Sequence, residues 1–143
     1  MKKKAGLRLF ILMVIVVFSK VNLISGIEQE EIVENKVIVY YFYWNPRCMT
    51  CTKIEKQVEE ALNKNYKKQM QQGIIEFRSI DTQKNENKHF EKDYNLYTKS
   101  VVLSKVVAGK EVKNITLLKV WELVHNKDSY YRYIKTNVDD FLK

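Results

Sequence analysis

The sequence of 143 residues contains few residues that interrupt regular structure, with one proline and four glycines. This scarcity excludes a collagen-like chain, a linker-rich chain and a turn-dense all-β protein. Cysteine and histidine are also scarce, with two of each. Apolar residues make up 45% of the chain and charged residues 29%, a composition typical of globular proteins. The length fits one domain of about 100–150 residues with a short extension.

Acidic residues are absent from the first 26 positions, although the whole chain has 17 of them. Five of the 25 basic residues lie in this segment, so positions 27–143 carry 20 basic against 17 acidic residues. The net charge of that part is +3, whereas the whole chain carries +8. Nucleic-acid binding needs basic charge spread over the fold, so we expect no nucleic-acid partner.

The N-terminal segment has the pattern of an export signal. Basic residues at Lys2–Lys4 and Arg8 precede ten apolar residues, Leu9–Phe18. The apolar core of a secretory signal spans about 7–15 residues, whereas a membrane-spanning helix needs about 20. We therefore predict that residues 1–26 are a signal peptide or an N-terminal membrane anchor, with cleavage left open. In both cases we expect the rest of the chain to be periplasmic or extracellular, or anchored to the inner membrane.

An acidic linker at 27–35 leads into alternating strand and helix patterns. Residues Val37–Trp44 are almost all β-branched or aromatic, which is typical of a strand buried on both faces. From Cys48 to Met70, apolar residues recur every three or four positions, which predicts an amphipathic helix ending at Gly73.

The rest of the chain continues this alternation. The pattern predicts a strand at 74–80, a helix at 89–97, a hairpin with its turn at Ala108-Gly109-Lys110, and helices at 117–124 and 129–142. Asp128 is the expected N-cap of the last helix. This order predicts one α/β domain over residues 36–143, with a central mixed β-sheet flanked by helices.

Both cysteines lie in the motif Cys48-Met49-Thr50-Cys51, where the first strand passes into the first helix. A pair with this spacing can hold zinc, form a structural disulfide or exchange electrons. Zinc needs four ligands, and the two histidines are 36 positions apart without a liganding neighbour. A disulfide closing so short a loop constrains the unfolded chain little. Redox exchange is therefore favoured, while a structural disulfide stays open.

The position of Cys48 favours nucleophilic attack. Unpaired N–H groups and the positive end of the helix dipole stabilise an anion there, and Arg47 adds positive charge. Such surroundings lower the pKa of a cysteine thiol from about 8.5 into the range of about 3.5–7.5. We predict Cys48 as the nucleophile and Cys51 as the resolving thiol. The expected redox group is this disulfide itself, with no metal and no other cofactor.

The strand Val37–Trp44, with Trp44 four positions before Cys48, and the C-x-x-C helix resemble the thioredoxin-like superfamily over residues 35–143. The resemblance implies a thioredoxin-like fold. Segments 41–51, 87–90, 94–103 and 120–125 look like a small bacterial family, the nitrophenyl compound nitroreductase subunit proteins. That likeness implies an accessory redox role beside a protein redox partner or reductase subunit. The chain lacks a glycine-rich dinucleotide loop, so we expect no flavin or nicotinamide site of its own.

Several positions depart from the usual thioredoxin pattern. Arg47 replaces a tryptophan before the first cysteine, Met49-Thr50 replaces Gly-Pro, and Phe42 replaces a buried acid. The proline that the family places before its third strand is also missing, and Lys99 and Ser100 fall near that point.

A cis bond without proline costs about 2.5–4 kcal/mol, so we predict a trans turn at 98–100. The family position implies that Lys99 and Ser100 line a partner-binding site. We predict Arg47 and Trp44, which lie close to Cys48 in the sequence, as further partner-binding residues. Two other functions stay open. One is a non-catalytic binding module with a closed disulfide, and the other is a metallochaperone that holds Cu(I) between the two thiolates. If the N-terminal segment stays uncleaved, the membrane is a further partner.

Overall fold

A computed structural model describes residues 35–143, so the signal or anchor predicted at 1–26 and nearly all of the linker at 27–35 lie outside the described residues. The elements in chain order are β1 Asn35–Tyr43, α1 Met49–Gln71, β2 Ile75–Asp81, a 3₁₀ turn Asn85–Asn87, α2 His89–Asp93, β3 Ser100–Val107, β4 Lys110–Thr116, α3 Val120–Leu123 and α4 Lys127–Leu142. Within this range, no helix is both long enough and apolar enough to span a bilayer.

Strand β1 lies inside a four-stranded sheet that the described residues form in the order β2-β1-β3-β4. It pairs in parallel with β2 and antiparallel with β3, while β4 pairs antiparallel with β3. Residues Val37–Phe42 of β1 are all buried, which confirms the prediction of a strand covered on both faces. A β-α-β unit followed by a hairpin and a C-terminal helix confirms the predicted α/β domain with a central mixed sheet flanked by helices.

Alternate residues of β1 contribute to two different cores, because successive side chains of a strand point to opposite faces. Val39 and Tyr41 face α1 and α4 in the larger core. Phe42 faces the opposite side, where the rings of Phe90 and Tyr94 lie 5.1 and 5.4 Å from its ring centroid. Phe90 and Tyr94 therefore cover this face of the sheet.

Two predicted turns need positive φ angles, and the structure has them. Gly73 follows the C-cap of α1 with φ +74°, the left-handed conformation that commonly ends helices. Ala108 and Gly109 have φ +50° and +75° and connect β3 to β4. Two consecutive residues with positive φ match the twist of a two-residue hairpin, so the predicted hairpin is confirmed.

The two middle helices are shorter than predicted. Helix α2 ends at Asp93, and Asn95 then adopts a left-handed φ of +49°. Helix α3 covers only Val120–Leu123 because Leu117 is still tied to the sheet, with its N–H donating to the carbonyl of Val101 at 2.8 Å. The prediction for α3 mistook Leu117, an apolar residue of the larger core, for the first residue of a helix.

The N-cap predicted for the last helix is wrong. Helix α4 begins at Lys127, and the side chain of Asn126 accepts a hydrogen bond from the N–H of Ser129 at 3.1 Å. Asp128 lies in the first turn, where a negative charge is still favourable to the helix dipole. Asn and Asp have similar capping preferences, so the residue types alone do not decide between them.

Candidate active site

The two cysteines form a disulfide at the beginning of α1. Cys48 is the N-cap residue, and its Sγ accepts a hydrogen bond from the N–H of Cys51 at 3.0 Å. The sulfur thereby satisfies one of the free N–H groups at the helix start. Cys48 is exposed, whereas Cys51 is only 1% exposed. The pair therefore combines one exposed cysteine and one buried cysteine, which is the arrangement that the predicted division of roles needs.

The segment between β1 and α1 brings Cys48 into this position. Asn45 donates its N–H to the side chain of Gln83 at 2.9 Å, which attaches the segment to the loop after β2. The bond between Asn45 and Pro46 is the single cis peptide bond among residues 35–143. The turn at 98–100 is therefore trans, as predicted.

Arg47, one of the predicted partner-binding residues, is half-buried and not freely exposed to solvent. Its side chain is 26% exposed and donates a hydrogen bond to the Glu55 carboxylate of α1. The guanidinium carbon also lies 4.3 Å from the centre of the Tyr43 ring. Burial by itself lowers the pKa of Arg47, but the carboxylate outweighs burial and raises it above its ordinary value.

Two residues near the disulfide were not predicted as site residues. Glu55 also accepts a hydrogen bond from Ser79 of β2, and the hydroxyl of Tyr41 donates to the carbonyl of Cys51 at 2.8 Å. Burial raises the pKa of Tyr41. One sequence signal could have identified Glu55, since it lies four positions after Cys51 and therefore on the same helix face. No sequence signal separates Tyr41 from an ordinary core residue.

Lys99 and Trp44, two of the predicted partner-binding residues, lie together. The ammonium of Lys99 donates to the carbonyl of Pro46 at 2.8 Å and lies 5.4 Å from the centre of the Trp44 ring. The indole N–H of Trp121 donates to the backbone carbonyl of Lys99 at 3.1 Å. Ser100 differs, because it is buried and its hydroxyl donates to the carbonyl of Thr98 at 2.7 Å.

Large apolar side chains are exposed on the same edge of the sheet as the disulfide. Met49 is 91% exposed, Tyr97 81% and Leu118 62%. Because β3 is antiparallel to β1 and β4, the segments before β3 and after β4 lie at the edge where β1 ends. Large exposed apolar side chains at such an edge are suited to contact with other molecules. In residues 35–143, no three His, Cys, Asp or Glu side chains come together as a metal site.

Comparison with protein-family models gives no match, and comparison with curated proteins gives none either. Matching solved structures include reduced Schistosoma mansoni thioredoxin pre-protein, with 18% identity over 70% of this chain and 81% of that chain and a TM-score of 0.41. Fasciola hepatica thioredoxin is 20% identical over 68% of this chain and 81% of that chain, with a TM-score of 0.40. Oxidised thioredoxin O2 from Arabidopsis thaliana is 18% identical over 67% of this chain and 76% of that chain, with a TM-score of 0.41. The narrower likeness to nitroreductase subunit proteins stays a prediction.

Proposed function

We propose that this protein is a thiol–disulfide exchange protein that passes two electrons between its Cys48–Cys51 couple and a partner protein. The observation that carries the proposal is the contrast between an exposed Cys48 at the helix N-cap and a buried Cys51. Once the disulfide is reduced, the free N–H groups and the dipole of α1 stabilise a thiolate at Cys48. The first turn of α1 carries no acidic residue that would oppose this charge.

The reductive direction proceeds in two displacements. The Cys48 thiolate attacks one sulfur of the partner disulfide, so a mixed disulfide forms and the other partner sulfur leaves as a thiolate. Cys51 then loses its proton and attacks Sγ of Cys48, which re-forms the Cys48–Cys51 bond and releases the second partner thiolate. The couple is oxidised by two electrons and the partner disulfide is reduced by two. Oxidation of a partner dithiol is the same sequence in reverse.

The Cys51 N–H group supports the first displacement. It donates to Sγ of Cys48 at 3.0 Å, and a hydrogen bond to a charged acceptor is stronger than one to a neutral acceptor. Burial of Cys51 keeps solutes from its sulfur, so the exposed Cys48 meets the partner first. The apolar residues Met49 and Tyr97, exposed on the same edge, provide a contact surface suited to a protein partner.

We also propose a cellular location and a partner for this protein. We place the domain outside the cytoplasm, released or held at the membrane by residues 1–26, as an accessory subunit of a reductase. The basic and apolar pattern of Lys2–Phe18 supports export. The narrower resemblance of segments 41–51 and 94–103 supports the subunit role.

A redox titration tests the proposed function. The protein is equilibrated in a series of glutathione buffers and then alkylated, and the mass shift reports the fraction of reduced Cys48 and Cys51. We expect a two-electron transition within the range of about −270 to −120 mV that exchange proteins span. A pair that stays oxidised under mild reductants would contradict the proposal and favour the binding module with a closed disulfide. Binding of one Cu(I) per reduced pair without disulfide exchange would favour the metallochaperone.

A further inference from the structure

Two cations flank the segment that carries Cys48, but their surroundings differ. Arg47 is paired with the Glu55 carboxylate, so the two charges largely compensate. Lys99 instead bonds to the uncharged carbonyl of Pro46. Among the ion pairs of residues 35–143, none includes Lys99. Within the described part of the chain, its positive charge therefore has no paired carboxylate and lies against the backbone two residues before Cys48.

Both tryptophans of the chain contact Lys99, one at its backbone carbonyl and the other at its ammonium group. Trp121 fixes the backbone through the hydrogen bond from its indole N–H to the Lys99 carbonyl. Trp44 fixes the side chain, because its ring lies 5.4 Å from the ammonium. A ring face attracts a cation, and a half-buried contact strengthens this attraction relative to a fully exposed one. Lys99 thus has a defined place at the site, unlike a solvated surface lysine.

We propose that Lys99 is a positioning residue for Cys48 that also supplies the positive charge which the paired Arg47 does not supply. The hydrogen bond to Pro46 holds the Cys48 segment against the loop before β3. The ammonium then stabilises the Cys48 thiolate through space, since an opposite charge nearby favours the charged form of a titrating group. This inference rests on the proposed exchange function and names the residue that adjusts its nucleophile.

Other charged groups occur on the elements around Cys48, and the experiment keeps them constant. They are Arg47 in the same segment, Lys53 and Glu55 on α1, Asp81 at the end of β2 and Lys119 before α3. Because all of them are present in each variant, a change in the titration of Cys48 reports on position 99 alone.

The test titrates Cys48 in the reduced Cys51→Ser protein, with the ultraviolet absorbance of the thiolate as the signal. Lys99→Gln keeps a polar hydrogen-bond donor but has no charge, while Lys99→Arg keeps the charge. We expect Lys99→Gln to raise the pKa of Cys48 by about half a unit or more, and Lys99→Arg to keep it near the wild-type value. Lys113→Gln is the matched control, because Lys113 also lies over a ring, that of Phe141 at 4.4 Å, and its removal should leave Cys48 unchanged.

The rate of alkylation is a second measurement that a merely structural role would not change selectively. Iodoacetate is an anion and iodoacetamide is neutral, so loss of the Lys99 charge should slow the first reagent more than the second. Circular dichroism confirms that each variant is folded. An unchanged pKa in folded Lys99→Gln, or an Arg variant that behaves like the Gln variant, would overturn the inference. These titrations need no redox partner, so an inert wild-type disulfide would refute the proposed function separately.

Discussion

The carboxylate of Glu55 accepts a hydrogen bond from Arg47, the residue directly before the exposed cysteine. This ion pair links the segment that carries Cys48 to the second turn of α1. It also turns the Arg47 side chain over the ring of Tyr43 and away from solvent. Arg47 therefore stabilises the conformation of the segment that carries Cys48. It does not present an unpaired positive charge at the surface of the site.

Replacing Glu55 with glutamine should lower the free energy of unfolding by about 1–3 kcal/mol, because the half-buried guanidinium of Arg47 loses its charged acceptor. The Nε atom of Arg47 already lacks a hydrogen-bond partner. Urea unfolding followed by circular dichroism measures the change. Glu59→Gln is the matched control, since Glu59 is exposed on the same helix and should cost less than about 0.5 kcal/mol. Equal stability of the two variants would argue against a structural role for the ion pair.

The two cysteines should respond differently to substitution. Cys51→Ser leaves the exposed nucleophile without a resolving thiol, so mixed disulfides between Cys48 and partner proteins should accumulate. Cys48→Ser removes the exposed sulfur and should abolish exchange. Non-reducing gels and mass spectrometry of the purified protein incubated with a disulfide peptide distinguish the two outcomes. Mixed disulfides on Cys51 in the Cys48→Ser protein, at the rate seen for Cys48, would show that the roles are assigned incorrectly.

Because Asn126 is the N-cap of α4, substitutions at Asn126 and Asp128 should lower the free energy of unfolding by different amounts. Asn126→Ala removes the acceptor for the N–H of Ser129 and should lower the free energy of unfolding by about 0.5–2 kcal/mol. Asp128→Ala removes only a favourable charge in the first turn, which is worth about 0.3–1 kcal/mol. Thermal or urea unfolding of both variants provides the comparison. A larger loss for Asp128→Ala would restore Asp128 as the cap.

The ionised Asp139 should contribute to the stability of the domain, and this contribution should be lost at acid pH. The Lys135 ammonium, together with the hydroxyl of Tyr66, holds the pKa of Asp139 below its ordinary value. Because the folded-state pKa is the lower one, this contribution to stability is present above the unfolded-state pKa and is lost as the pH falls through the folded value.

Urea unfolding measured in steps below about pH 5 checks this dependence. Asp139→Asn should flatten the decline in stability, whereas Asp140→Asn changes a neighbouring carboxylate that bonds to Lys143 instead of Tyr66 and should flatten it less. If the free energy of unfolding of Asp139→Asn falls with pH in parallel with that of the unchanged protein, Asp139 is not the source of the pH dependence.

The sequence predicted the main elements well because their signals are local. The β-branched and aromatic residues of Val37–Phe42 have no polar alternation, so burial on both faces follows directly from them. In the helix after Cys48, apolar residues recur every three or four positions over the whole length, and Gly73 follows its end. The predicted bounds of α3 were wrong because Leu117 is apolar for contact with the core, and a short apolar run does not distinguish this case from a helix face.

The candidate site was predictable in part. The C-x-x-C motif at the junction of a strand and a helix identifies Cys48 and Cys51, and the family likeness points to Lys99. The partner of Arg47 could not be derived, because a helix pattern places Glu55 on a surface without saying which loop covers it. The hydrogen bond from the Tyr41 hydroxyl to the Cys51 carbonyl could not be predicted either, because it depends on the distance between β1 and α1 in the folded protein.

The order of strands and helices, the position of the two cysteines and the basic, apolar character of residues 1–26 are properties of the sequence alone, because each depends on neighbours along the chain. The tertiary structure decided the surroundings of the sulfur atoms. It paired Arg47 with Glu55, placed Lys99 between two tryptophans and buried Cys51 while exposing Cys48. These outcomes depend on which side chains meet across separate elements, and such distances are set only when the sheet and its helices pack together.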